Sequence, residues 1–179
     1  MTRLRPILCA ALLLAVAGCG YTTRSLIASK YQTVYVTPFV SRIDLTNERN
    51  TGSKYKVYRP GLETDISRSL TNKFLFDGNL KPVSMGTADV VLKGELVEFR
   101  RDPLRYTAGD EVEEYRLNLV VNISLWNRRD DTLIWEEKNF VGDTTYFTQG
   151  VQAKSETTAI QDAIADLSSR IVARVVEEW

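Results

Sequence analysis

Alternation between apolar and polar side chains is clearest in the middle of the chain, between positions 115 and 125. Apolar side chains at every second position predict a β-strand with one buried face, because successive strand side chains point to opposite sides. These side chains are Tyr115, Leu117, Leu119, Val121, Ile123 and Leu125. The intervening positions hold Arg116, Asn118, Asn122 and Ser124, so the opposite face is predicted to be polar.

Weaker patterns predict four more strands. They cover residues 33–39, ended by Pro38, then 80–84, 88–101 and 133–147. In the strand over 88–101, Lys93, Glu95 and Arg101 are predicted to share the polar face. The alternation slips at 136–138, which indicates a β-bulge or an edge position.

Two segments repeat apolar side chains at helical spacing. The first runs from Pro60–Gly61 to Asp77–Gly78, and glycine suits the left-handed conformation that ends a helix. Its stripe is Leu62, Ile66, Leu70 and Phe74. The second covers 153–179 with Ser155 as its N-cap. Its stripe is Ile160, Ala163, Ile164, Leu167, Ile171 and Val175.

This order of elements predicts an α+β fold. Because each strand has one apolar face, both helices are expected on that face, giving a two-layer α/β sandwich. The sheet is predicted to be mixed, mostly antiparallel, with about four strands. The polar segment 41–59 between the first strand and the first helix is longer than ordinary connections. We interpret it as a long loop or a protruding hairpin.

The N-terminus has the pattern of a bacterial lipoprotein signal. Arg3 and Arg5 precede an apolar run over 7–17, and Gly18–Cys19 follow. The run is shorter than the roughly 20 apolar residues that cross a bilayer as a helix. We therefore predict that residues 1–18 are removed. Residues 19–32 would form a lipidated N-terminus and tether, and 33–179 a single domain.

Cys19 is predicted to carry covalently attached lipid, namely diacylglycerol and an N-acyl chain. No other cofactor is expected. More than one acyl chain is needed for firm membrane anchoring. Because Gly20 rather than an aspartate follows Cys19, an outer-membrane anchor is favoured. The alternative is an ordinary secretory signal, since residues 15–17 also satisfy the small-x-small cleavage rule.

Composition narrows the function. The 179 residues include 23 Lys and Arg against 23 Asp and Glu, so there is no bulk attraction to nucleic acid. The sequence contains no histidine, which removes the commonest general base and metal ligand. It also lacks phosphate-loop, dinucleotide-binding and metal-spacing motifs. We therefore predict that the protein is not an enzyme.

The densest basic group is Arg100, Arg101 and Arg105, predicted in the connection after the long strand. An ordinary solvated loop is one interpretation. The other is recognition of phosphate, which arginine binds with two parallel hydrogen bonds. The acidic run at 110–114 is interpreted as a solvated strand start, because alternation places neighbouring carboxylates on opposite faces.

Several short motifs, in this order, are similar to those of a known family. They are Gly18-Cys19-Gly20-Tyr21, Val34-x-Val36-x-Pro38-Phe39, Pro60-Gly61-Leu62-Glu63, Ala88-Asp89-Val90-Val91-Leu92-x-Gly94, Glu114-Tyr115-Arg116-Leu117 and Leu133-Ile134-Trp135-Glu136, followed by the helix over 163–176. The chain resembles the lipopolysaccharide-assembly lipoproteins, the LptE-like family. The resemblance covers nearly all of the sequence after Cys19.

The resemblance implies a non-enzymatic lipoprotein at the periplasmic face of the outer membrane. It would assemble with and plug a large β-barrel, an LptD-like lipopolysaccharide-export protein, and assist insertion of lipopolysaccharide into the outer leaflet. Direct contact with lipopolysaccharide is also implied, and Arg100, Arg101 and Arg105 are our candidate ligand-binding residues. The alternative function is a lipoprotein regulator of a periplasmic cell-wall synthesis enzyme.

Overall fold

Three long antiparallel strands form the body of the domain. The computed structural model describes residues 30–43 and 59–176, so Cys19 and residues 44–58 of the predicted loop lie outside the described residues. The strands are β1 (Thr33–Val36), β2 (Val40–Ser41), β3 (Lys81–Pro82), β4 (Val90–Tyr106), β5 (Val112–Asn127) and β6 (Thr132–Phe147). The helices are α1 (Leu62–Asp77), α2 (Glu156–Val176) and a short 3₁₀ turn (Met85–Thr87).

The sheet is mixed and has six strands among the described residues. Its order is β3-β1-β4-β5-β6, and β2 also pairs with β4. β4, β5 and β6 are antiparallel, whereas β1, β2 and β3 pair in parallel. Five of the strands correspond to the five predicted segments, and the sixth arises because the chain after Pro38 pairs with β4 a second time at Val40 and Ser41, so the total exceeds the predicted number of about four. The prediction of an α+β fold with a mixed, mostly antiparallel sheet is confirmed.

Both helices pack on one face of the sheet, as predicted. Every side chain of the two predicted helical stripes is buried. Gly61 and Gly78 flank α1 with φ values of 85° and 77°, and the Gly78 N–H donates to the Phe74 carbonyl. The N-cap prediction for α2 is also confirmed, because Ser155 Oγ accepts a 3.1 Å hydrogen bond from the Thr158 N–H. Tyr31 is 7% exposed, so the packed core begins before the domain boundary predicted at 33.

A β-bulge in β4 changes which face later side chains occupy. Leu96 pairs with Val121 and Glu98 with Val120, so Val97 is an extra residue in the ladder. Arg101 consequently lies opposite the core residue Leu117, on the helix side of the sheet. The predicted placement of Arg101 on the polar face with Lys93 and Glu95 is therefore wrong.

β4 also continues through the predicted connection. Residues 100–106 are strand, and the turn to β5 is at 107–111. In the described parts of the chain, the edge of β4 that faces away from β5 has no partner strand beyond Leu96. Pro103 is tolerated because its missing N–H breaks no ladder hydrogen bond on that edge. The interpretation of the arginine segment as a loop is therefore wrong.

β6 is the edge strand and carries the irregularity predicted at 136–138. The pairing shifts between Val121 and Ile123 of β5, and Asn139 adopts a φ of 56°. The Asn139 N–H donates to Asn122 Oδ1 on β5, which holds the bulge in place. A bulged edge resists pairing with further strands.

The long strands give the domain two distinct ends. At the entry end, where the chain enters at Lys30, lie the last turn of α1, the 3₁₀ turn Met85–Thr87 and the β5–β6 turn at 128–131. At the far end lie the turn at 107–111 and the connection at 148–155. Asp89 stabilises the entry end, because its Oδ2 accepts hydrogen bonds from Gln32 N, Thr33 N and Thr33 Oγ1. These bonds lower the pKa of Asp89, with the Gln32 N–H the largest contribution.

Candidate functional site

Arg100 lies on the outer face of β4, away from the helices. Its Nε donates to Asp102 Oδ2 at 2.6 Å, and its Nη1 lies 3.3 Å from Glu98 Oε1. The hydrogen bond to Asp102 is the main cause that raises the pKa of Arg100. Asp102 Oδ2 also accepts from Asn118 Nδ2 on β5. Arg100 is therefore held by two carboxylates of its own strand.

Arg101 lies on the opposite face, beneath the start of α2. Its Nη1 donates to Glu156 Oε2 at 2.6 Å, and its guanidinium lies 4.8 Å from the Tyr115 ring centroid. Tyr115 stacks on Tyr146, with ring centroids 5.7 Å apart. Burial alone would lower the pKa of Arg101, but Glu156 and Tyr146 outweigh it and the pKa is raised. Burial is the main cause that raises the pKa of Tyr146. Arg101 thus closes the far end of the core.

Arg105 is the most accessible of the three candidate arginines. Its side chain is 59% exposed, and Nη2 lies 3.7 Å from Glu114 Oε2 across the β4–β5 ladder. The guanidinium also lies 5.6 Å from the Phe147 ring centroid. An exposed, weakly paired guanidinium retains donors for an incoming anion.

The three arginines do not form one open site. Arg100 and Arg105 share the outer face, Arg101 is on the helix side, and each guanidinium is paired with a carboxylate. Whether they bind a ligand stays a prediction. Of the three, Arg105 is the strongest candidate for binding a ligand, and the geometry gives Arg101 a structural role.

The outer face of the sheet near the entry end contains a groove that the sequence pattern did not predict. Trp126 lies in it, its indole N–H donating to Ser124 Oγ at 2.9 Å while Lys93 Nζ lies 4.2 Å from the ring centroid. One cavity of about 390 Å³ extends along the strands from Trp126, and another of about 520 Å³ extends toward Met85. Trp126 falls on the polar side of the β5 alternation, and a large aromatic residue there was the signal that could have revealed the groove.

The chemistry of this groove favours contact with another molecule over catalysis. Its polar groups are Lys93, Glu95, Asn122, Ser124, Glu136 and Lys138. These side chains can both donate and accept hydrogen bonds, and their positive and negative charges balance. Lys138 is already within 3.7 Å of Glu136.

Two further properties of the described residues bear on function. In residues 30–43 and 59–176, no group of three or more His, Cys, Asp or Glu side chains is arranged to hold a metal ion. Over the same ranges, no helix combines the length and apolar character needed to cross a bilayer.

Comparison with protein families shows which family this chain belongs to. The model of the LptE family, described as lipopolysaccharide-assembly, matches residues 31–175. The chain belongs to the LptE family. The match includes α1, all six strands and all of α2 except Val176, so family membership applies to the folded domain. The family is cofactor-free. No curated protein sequence matches the chain.

Solved structures share the fold of this LptE-family domain. Protein XCC0632 from Xanthomonas campestris aligns with a TM-score of 0.53 and 13% identity, covering 82% of this chain and 85% of its own. The hypothetical protein CT253 from Chlamydia trachomatis aligns with a TM-score of 0.52 and 14% identity, covering 81% and 95%. At these identities the likeness is one of fold alone.

Proposed function

We propose that this LptE-family protein is an outer-membrane lipoprotein that plugs a lipopolysaccharide-export β-barrel. Cys19 would carry diacylglycerol and an N-acyl chain, and the domain would assemble with an LptD-like barrel and assist insertion of lipopolysaccharide into the outer leaflet. The observation that carries the proposal is the family match over residues 31–175. The lipoprotein signal that ends at Cys19 supports the anchor.

The shape of the sheet supports a role inside a barrel. β4 has 17 residues and β5 and β6 have 16 each, so the three strands reach roughly 50 Å. The apolar band of an outer-membrane barrel is about 25 Å tall, and the lumen of such a barrel is polar. A domain of this length with ion pairs on its outer face can extend through that lumen without exposing a second apolar layer.

Contact with lipopolysaccharide is the second part of the proposal. Lipopolysaccharide carries phosphate groups, which guanidinium groups bind well. Arg105 is exposed at the far end, while Arg100 and Arg101 are engaged with Asp102 and Glu156. We therefore place the proposed contact of the arginine group chiefly at Arg105.

Affinity purification after gentle detergent extraction tests the proposed partner. We expect the tagged, acylated protein to recover a large heat-modifiable β-barrel protein, and depletion of the protein to reduce lipopolysaccharide at the cell surface. Repeated recovery of the lipoprotein alone would contradict the proposal. Altered peptidoglycan synthesis with normal surface lipopolysaccharide would instead favour the regulator of a cell-wall enzyme.

A further inference from the structure

Large apolar side chains are exposed at the entry end of the domain. Phe76 is 89% exposed and Leu75 is 59% exposed in the last turn of α1, directly after the buried Phe74. Met85 in the 3₁₀ turn is 57% exposed. Single exposed apolar residues are ordinary, and the far end also exposes Leu104, Tyr106 and Val151, so exposure marks both ends and the anchor distinguishes them.

Separate segments of the chain bring these residues to the same end. β3 follows α1 directly and pairs with the start of β1, where Lys81 lies opposite Thr33. Leu133, the second residue of β6, is 47% exposed and lies opposite Trp126. Trp126 and Met85 line one cavity. We call Leu75, Phe76, Met85, Trp126 and Leu133 the entry-end patch.

The charged groups around the entry-end patch suit a lipid headgroup layer. Three local carboxylates accept hydrogen bonds within the protein: Asp77 from Asn79, Asp89 from Gln32 and Thr33, and Asp130 from Asn127. A fourth, Asp131, is exposed and lines the same cavity as Met85 and Trp126. The exposed cationic side chains at this end are Lys30, Lys73, Lys81, Arg128 and Arg129, and the Arg128 Nε already donates to the Ala88 carbonyl. Long basic side chains beside Trp and Phe are typical of residues at a membrane surface, where the cations reach phosphate and the rings enter the interfacial zone.

The length of the tether limits how far this end can lie from the proposed lipid anchor. Lys30 is the eleventh residue after Cys19, and eleven residues span at most about 40 Å even when fully extended. We infer that the entry-end patch lies on the phospholipid surface that holds the acyl anchor, with Phe76 and Met85 inserted among the headgroups. This inference rests on the anchor at Cys19 in the proposed function, and it adds the orientation of the domain.

Vesicle binding by the chain without acyl groups tests the surface itself. The mature chain carrying Cys19→Ser is mixed with vesicles of phosphatidylethanolamine and phosphatidylglycerol and sedimented. We expect binding, and we expect Phe76→Ser with Met85→Ser to weaken it by about tenfold or more, because two apolar side chains no longer enter the interface. The matched control is Leu104→Ser with Val151→Ser, two exposed apolar side chains at the far end, which should leave binding unchanged.

A probe on the acylated protein tests the orientation. Cys9 is removed with the signal and Cys19 is capped by lipid, so Phe76→Cys supplies a unique thiol for an environment-sensitive fluorophore. In vesicles its emission should shift to the blue and be quenched by headgroup-labelled lipid, whereas a fluorophore at Val151→Cys should show neither change.

Either of two results would overturn the inference: no vesicle binding by the parent chain, or equal loss in the entry-end and far-end variants. Purified protein and lipid are the only components, so such a failure leaves the proposed barrel partnership intact. Conversely, vesicle binding without recovery of a barrel from cells would retain the surface and remove the partnership.

Discussion

Phe39 and Gly94 form a contact, and both the sign and the size of the change in stability on altering it can be predicted. The Phe39 ring lies on the backbone of Gly94 in β4, and a Cβ at position 94 would overlap three of the ring atoms. Phe39 is 3% exposed, and its N–H donates to Ser67 Oγ on α1 at 2.8 Å, which fixes the ring between helix and sheet. Gly94→Ala must therefore displace the ring.

The magnitude follows from two opposing effects. Displacing a buried phenylalanine forfeits about 1.5–3 kcal/mol of burial free energy. Replacing glycine by alanine in a strand contributes about 0.5–1 kcal/mol of stability through chain entropy. We expect Gly94→Ala to lower the free energy of unfolding by about 1–2 kcal/mol in the parent chain. With Phe39→Ala already present, the same substitution should raise it by about 0.5–1 kcal/mol.

Urea unfolding followed by far-UV circular dichroism measures all four chains of this double-mutant cycle, in the soluble form that begins at Gly20. Phe39→Ala alone should cost about 3–5 kcal/mol, so the weaker chains are measured at low temperature or low urea. A Gly94→Ala effect of the same sign and size in both backgrounds would show that the ring and the glycine are not coupled. Stabilisation of the parent by Gly94→Ala would refute the contact altogether.

Three further predictions concern the charged residues. Arg101→Ala should lower the free energy of unfolding by about 1–2 kcal/mol, because the substitution leaves Glu156 and Tyr146 without their partner. Urea unfolding measures this loss. The control Arg105→Ala should change the free energy of unfolding by less than about 0.5 kcal/mol. Arg105→Ala should instead weaken lipopolysaccharide binding in a salt-dependent manner, measured by titration calorimetry, and unchanged affinity would exclude Arg105 from the contact. Asp89→Asn should cost about 1–2 kcal/mol at neutral pH. Because the pKa of folded Asp89 is lowered, its contribution is complete above the unfolded value near 4 and is lost as the pH falls through the folded pKa, so the parent and Asp89→Asn curves should converge in acid.

Regular periodicity predicted the elements that have one buried face. The stripes of α1 and α2 and the alternation of β5 identified core residues correctly, because burial selects apolar side chains at the spacing that each backbone imposes. The slip in β6 also indicated the bulge near Asn139. In each case the information is local in the sequence.

Properties that depend on pairing between distant segments were not predictable in the same way. The bulge at Val97 is visible only against β5, and it moves Arg101 from the outer face to the helix side. Arg100 and Arg101 are adjacent in sequence, yet the strand separates their guanidinium groups and pairs each with a different carboxylate. A cluster of like charges in the sequence is therefore not a cluster in space.

The two ends of the sheet differ in a way that gives the proposed plug a direction. At the far end, Arg101 and Glu156 neutralise each other beneath α2, and Arg105 remains exposed on the outer face. At the entry end, Phe76 and Met85 are exposed close to the point where the chain leads back to Cys19. Both ends expose apolar side chains, Leu104 and Val151 at the far end among them, so the direction rests on the acyl anchor proposed at the entry end. In the proposed arrangement the entry end would lie on the inner leaflet, and strands of roughly 50 Å would place the far end in the barrel, where Arg105 would meet a phosphate group during export.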